Sequence, residues 1–175
     1  PTDIRLIALE DRLLALPAVI AALESASDAE TAGDLSAAVA AARTATGADP
    51  DHKRAAARLS ELTAKLTQAQ FTDAMTAGYG AMGGSAFDAA ETAFRKAGRL
   101  IPGAPEPAAA LVELDQARTQ AKLLALKDQG ALAEREERWP DAVELYEQAL
   151  AIDPLILFAT EGVARSQPRA ELDAQ

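Results

Sequence analysis

Between residues 51 and 77 the chain carries neither Pro nor Gly, and Ala57, Leu59, Leu62, Leu66 and Ala69 recur at approximately helical spacing into Phe71 and Met75. Asp51 after Pro50 gives a start signal, and Gly83, Gly84 and Ser85 give a stop. The pattern predicts one helix of about 32 residues, on the order of 48 Å long. The same pattern predicts a second long helix from about Glu106 to Glu137. Shorter apolar segments of about 15 residues lie between the long ones. The first 30 residues read as a further long helix, which Pro17 is expected to kink or divide.

Three segments close on the same phrase: AAVAAARTATGADP at 37 to 50, DAAETAFRKAGRLIP at 88 to 102 and DAVELYEQALAIDP at 141 to 154. Their prolines, Pro50, Pro102 and Pro154, fall at intervals of 52, and other columns keep that register. Ala38, Ala90 and Ala142 align, as do Ala45, Ala97 and Ala149. A bulky residue recurs as Leu35, Phe87 and Trp139, a small one as Ala26, Gly78 and Gly130, and a ring as Phe94 and Tyr146, with Ala42 in the first copy. The repeats therefore run approximately 1–50, 51–102 and 103–154, followed by a C-terminal capping helix at 155–167 that Pro168 ends.

These residues resemble the tetratricopeptide repeat, a two-helix unit. That unit has a small residue in its first helix, a large residue opening the second, an Ala and an aromatic on the second helix's inner face, and a closing Pro. The third copy carries the resemblance through Gly130, Trp139, Ala142, Tyr146, Ala149 and Pro154. The glycine between the helices is kept as Gly33 but replaced by Ser85 and Glu137. The family period of 34 is exceeded by 18 residues. At 3.6 residues per turn that excess is five whole turns, which lengthen a helix without rotating its buried face.

The resemblance implies an all-α, solenoid-like domain over 1–175. It would hold three helical hairpins with long first and short second helices, plus a C-terminal helix. Because a short helix cannot cover a long one, each uncovered half is expected to pack on the previous repeat's short helix. The resemblance also implies a non-enzymatic protein-interaction scaffold. The Ala-rich wording is similar to repeat segments of bacterial envelope proteins tethered outside the inner membrane.

Composition agrees with helix. Apolar residues make up 49% and aromatics only 4%, so the core must be built from Ala and Leu, both strong helix formers. The absence of cysteine excludes disulfides and thiolate chemistry and fits either redox compartment, so localisation stays open, the cytoplasm included. No apolar run approaches the roughly 20 residues that cross a bilayer, and no stretch of the given sequence reads as a signal peptide, so none is expected within it. The chain opens on Pro1 rather than Met, consistent with a piece of a longer protein.

The net charge of −10 divides as −5 over 1–50, +2 over 51–102 and −7 over 103–175, a balance that argues against nucleic acid as partner.

Chemistry is sparse. His52, the single histidine, reads as a surface residue in a helix's first turn, beyond the reach of multi-histidine metal sites. GYGAMGG at 78 to 84 lacks the strand and spacing of a phosphate loop and reads as a helix end. The cluster Glu134, Glu136, Glu137 and Asp141 reads as helix-end electrostatics rather than a calcium loop. Trp139 reads as a wedge between helices. No catalytic residue, cofactor or metal is expected.

Two features remain as candidate partner-binding residues. Met75, Tyr79 and Met82 continue from Phe71 along one helical face, and Met and Tyr adapt readily to a peptide. Lys53, Arg54 and Arg58 form a basic beginning to the same helix, with Lys65 expected to pair with Glu61 and leave those three free. Two other roles fit the pattern. One is a carrier of a small apolar or lipid-like ligand in an enclosed pocket lined by Met75, Tyr79 and Met82. The other is self-assembly through uncovered halves of the long helices.

Overall fold

A computed structural model describes residues 4–173. Among the described residues the chain is all-α, with seven helices: α1 (Ile4–Thr31), α2 (Leu35–Ala48), α3 (Lys53–Gly83), α4 (Phe87–Leu100), α5 (Pro105–Arg135), α6 (Trp139–Ile152) and α7 (Leu157–Asp173). The interval of 52 is written into these bounds. α2, α4 and α6 are each 14 residues long, and α3 and α5 are each 31, starting and ending in the same register. No break occurs within α3, which is one continuous helix.

The turns that end the long helices follow one design. The N–H groups of Asp34, Ala86 and Arg138 each donate to the carbonyl five residues back, at 2.9 Å, and the N–H of the residue before each donates to the carbonyl three back, at 2.9, 3.0 and 3.2 Å. This is the Schellman arrangement, which satisfies carbonyls left open at a helix end and requires a left-handed residue. Gly33 supplies it at φ 81°, and Ser85 and Glu137 hold the same conformation at φ 59° and 56°. A side chain there is strained by crowding of Cβ against the carbonyl.

The chain divides into two compact units, Pro1–Gly78 with Thr92–Pro107, and Tyr79–Glu91 with Ala108–Gln175. In the first unit, Ala26 of α1 packs with Ala38, Val39 and Ala42 of α2, and Leu59, Leu62 and Leu66 of α3 join the same cluster. Val19, Ala45 and Ala55 form a smaller cluster beside it, and Phe71 and Ala74 pack with Ala97. In the second unit, Leu126 and Ala133 of α5, Ala142, Tyr146 and Ala149 of α6, and Ala159 of α7 make one cluster. The Ala columns at 38, 90 and 142 and at 45, 97 and 149 are fully buried.

Rings and glycines are matched where they meet. A Cβ built on Gly78 would come within 3 Å of the Phe94 ring, and one on Gly130 or Gly162 within 3 Å of the Tyr146 ring. Glycine is needed at these positions so that a ring can lie against the backbone of the facing helix. Phe158 meets Tyr146 edge-on at 6.4 Å between centroids.

Two expectations are corrected. Pro17 does not divide α1, which runs continuously from Ile4 to Thr31. Pro168 does not end the last helix either, and α7 continues to Asp173 rather than stopping at 167. Proline costs a helix one donor and a clash with the preceding turn, but tertiary contact can offset that. Arg169, just after Pro168, lies 4.7 Å from the centre of the Trp139 ring and donates to the Arg165 carbonyl at 2.7 Å. Trp139 is half-buried like Leu35 and Phe87 in its column, and it pins the end of α7 in addition to filling space.

Candidate functional site

The beginning of α3 is set by His52. Its Nδ1 accepts the Ala55 N–H at 3.1 Å, so the imidazole caps the helix as Asn or Ser would. The residue is half-buried in that role rather than being a solvated first-turn histidine. Asp49 prepares the turn, accepting the Asp51 N–H at 3.1 Å and the Arg12 Nε at 3.0 Å.

From this start, Arg54, Ala57, Arg58 and Glu61 fall on one side of α3 and face Leu23 and Ser27 of α1. Together they line an open groove of about 390 Å³. At its edge four side chains alternate in charge. Lys65 Nζ lies 2.7 Å from both Glu30 and Glu61, and Arg58 pairs with Glu61 at 2.9 Å and with Glu30.

Hydrogen bonds from Lys65 and then Arg58 hold the Glu30 and Glu61 carboxyls below the usual carboxylate range. In return the Arg58 guanidinium is raised, Glu61 first and Glu30 second, and the Lys65 ammonium is raised by Glu30 first and Glu61 second. Two cations and two carboxylates cancel. Each is spent on structure, which leaves the groove with an apolar wall of Leu23 and Ala57, the Ser27 hydroxyl and the Arg54 guanidinium.

The expectation of three free cations therefore holds only in part. Lys53 and Arg54 are exposed, and neither makes an ion pair among the described residues, whereas Arg58 is engaged by Glu30 and Glu61. Glu61 does pair with Lys65, as its spacing indicates. Glu30 was missed because it lies 28 and 35 residues before its partners, and no spacing within one helix reports it.

The other candidates separate. Met75 is half-buried and packs on the Phe71, Ala74 and Ala97 cluster of the first unit. Tyr79, at 42% exposure, and half-buried Met82 belong to the second unit. The three do not line this groove. Three further grooves, around Gly33 and Asp73, around Phe87 and Arg118, and around Val112 and Gln120, are also open and lined by other residues.

The acidic cluster is spread over several partners. Arg138 pairs with Glu136 at 2.7 Å and with Asp141, while Glu134 accepts Ser166 Oγ at 2.9 Å and faces Arg165. Burial, followed by the nearby Glu134 carboxylate, pushes the Tyr146 hydroxyl up. Among the described residues no group of three or more His, Cys, Asp or Glu is placed to hold a metal ion, and no helix is long and apolar enough to cross a membrane.

A scan against protein-family models gives no match for this chain, and a comparison with curated proteins gives none either.

Proposed function

We propose that this chain is a non-enzymatic protein-interaction scaffold of the tetratricopeptide kind. It would be a solenoid of three helical hairpins with long first helices and short second helices, closed by a C-terminal helix. One observation carries the reading: helices and left-handed turns recur together every 52 residues, with a ring lying against a glycine in the second and third copies. Repetition of a packing unit, with no repeated chemistry, suits a surface that holds another protein.

The binding face we assign is the groove of Leu23, Ser27, Arg54 and Ala57, with Lys53 beside it. Its occupant is a partner segment that offers a carboxylate to Arg54 and an apolar side chain to Leu23 and Ala57. Exposed Tyr79 and half-buried Met82 form a second region on the same helix.

The test is photocrosslinking in the native cell from a reactive residue at position 57. Arg54→Glu is expected to reduce the adduct at least about tenfold, the effect of losing roughly 1.4 kcal/mol of binding. Tyr79→Ala is expected to leave it. Loss with Tyr79→Ala alone would move the face to the other end of α3, and unchanged capture in both variants would remove both assignments.

A further inference from the structure

The amino-terminal half of α1 carries an apolar stripe that its own fold does not use. Leu6, Leu9, Leu13, Leu16 and Ile20 are all exposed, Leu9 and Leu13 by 62% and 69%, and Ile7 and Leu14 are exposed outside the stripe. The repeat shows that packing against α2 does not require them. The equivalent positions 52 residues later are Arg58, Glu61, Lys65, Gln68 and Thr72, all polar and, after Arg58, mostly solvated. The core face of α1 is a different one, through Val19, Ala22 and Ala26.

The steps of the stripe are three, four, three and four residues, so the five side chains share one face along two heptads, the arrangement of a seam that a second helix can pack against. Arg12 flanks the seam and is already engaged by Asp49, so it brings no uncompensated charge to a contact there. Pro17, in which the helix lacks a donor, is beside the seam and not in it.

We infer that this stripe pairs with the same stripe on a second copy of the chain. Five half-exposed aliphatic side chains present roughly 500 Å² of contiguous apolar surface, at the upper end of what a monomer leaves in water. Joining two copies removes roughly 1,000 Å², close to the low end of specific interfaces at about 1,200 Å². Two heptads are too few to hold an isolated coiled coil. Here α2 holds the second half of the same continuous helix, so association need only stabilise an extension of it rather than nucleate a helix. The result is a reversible dimer through an isologous contact. This inference is independent of the partner groove, and Arg54→Glu leaves it unchanged.

Sedimentation equilibrium of the whole chain, from low to several hundred micromolar, tests it. The expected mass moves from one chain toward two. The double variant Leu9→Glu and Leu13→Glu stays at one chain throughout, while its thermal unfolding at low concentration, where both proteins are single chains, is unchanged because both residues stand in solvent. Leu124→Glu, exposed on α5, keeps the shift. Because the chain has no cysteine, Leu13→Cys should form a disulfide-linked dimer on mild oxidation and Leu124→Cys should not.

A single-chain mass for the unaltered protein at every concentration overturns the proposal, as does a dimer that survives both glutamates. A single-chain mass together with flotation on phosphatidylcholine–phosphatidylglycerol vesicles also overturns it, in favour of a lipid surface.

Discussion

At the crossing of α1 and α2 two alanines meet, Ala26 and Ala42, and at the crossing of α5 and α6 a glycine meets a ring, Gly130 and Tyr146. The backbone plan is the same, yet the volume is distributed differently. Beside Ala42 the next long helix brings in Leu62, fully buried, whereas beside Tyr146 the equivalent position is Ser166, which turns its hydroxyl to Glu134. Gly162, against the other side of the Tyr146 ring, occupies the column of Arg58. A repeat of this kind conserves the filled space at a crossing, not the residue that fills it.

The largest break in that comparison comes from removing the ring. Tyr146→Ala should cost about 3–5 kcal/mol, because two glycines and Phe158 would then line a void. At the first crossing Ala42→Gly should cost only about 1 kcal/mol. Urea denaturation of both variants checks the contrast, and equal losses would mean that the ring is not the centre of the third crossing.

Overfilling should cost less. Gly130→Ala places a Cβ within 3 Å of Tyr146 and should destabilise by about 1–3 kcal/mol. In a Tyr146→Ala background the same change should be close to neutral, so a double-mutant cycle measures the ring–glycine coupling directly.

Much of this was legible in the sequence because it is periodic. The small column at 26, 78 and 130 and the ring column at 94 and 146 were readable as a pattern, and so were the lengths of α3 and α5. A fully buried column at Leu62, Leu114 and Ser166 keeps the same interval but went unread, because its last member is polar. Its signal was available in the register. Two features depend on contacts that no local pattern reports: the continuation of α7 past Pro168 beside Trp139, and the tie from Glu30 to Arg58 and Lys65. The cap at His52 is local but uses a residue outside the usual capping set, and the continuity of α1 through Pro17 has no signal in the sequence.

The His52 cap separates the start of α3 from that of α5, where Ala104 holds the equivalent place. His52→Ala should lower stability by about 1 kcal/mol, and His52→Asn should restore most of it. Thermal unfolding monitored by circular dichroism distinguishes the two. A His52→Ala protein with an unchanged melting temperature would show that the bond to Ala55 carries no weight.

The left-handed turns run the other way. Gly33 holds its φ without strain, whereas Ser85 and Glu137 hold theirs against their own Cβ. Glu137→Gly should therefore stabilise by about 0.5–1 kcal/mol, the relief of strain exceeding the added freedom of the unfolded chain. Gly33→Ala should destabilise by a similar amount.

The smallest effect is expected from the charge ring on α1 and α3, because its members stand partly in water, where paired charges gain little. Its sign is nonetheless fixed. Glu30 and Glu61 titrate lower in the folded chain than when free, so what they contribute is complete above the ordinary carboxylate range. It is lost as the pH falls through their lowered folded values. Lys65 titrates higher than usual, so its share disappears only in strong alkali, as the pH rises through its raised folded value. Stability from this ring should be flat through neutrality and fall on the acid side. Glu30→Gln should make that acid slope shallower, and molar salt should do the same by screening. Urea midpoints measured from neutrality into acid test this: an identical slope in Glu30→Gln would mean that Glu30 titrates no differently folded than unfolded, and that the closed ring of four charges contributes nothing to the acid limb of stability.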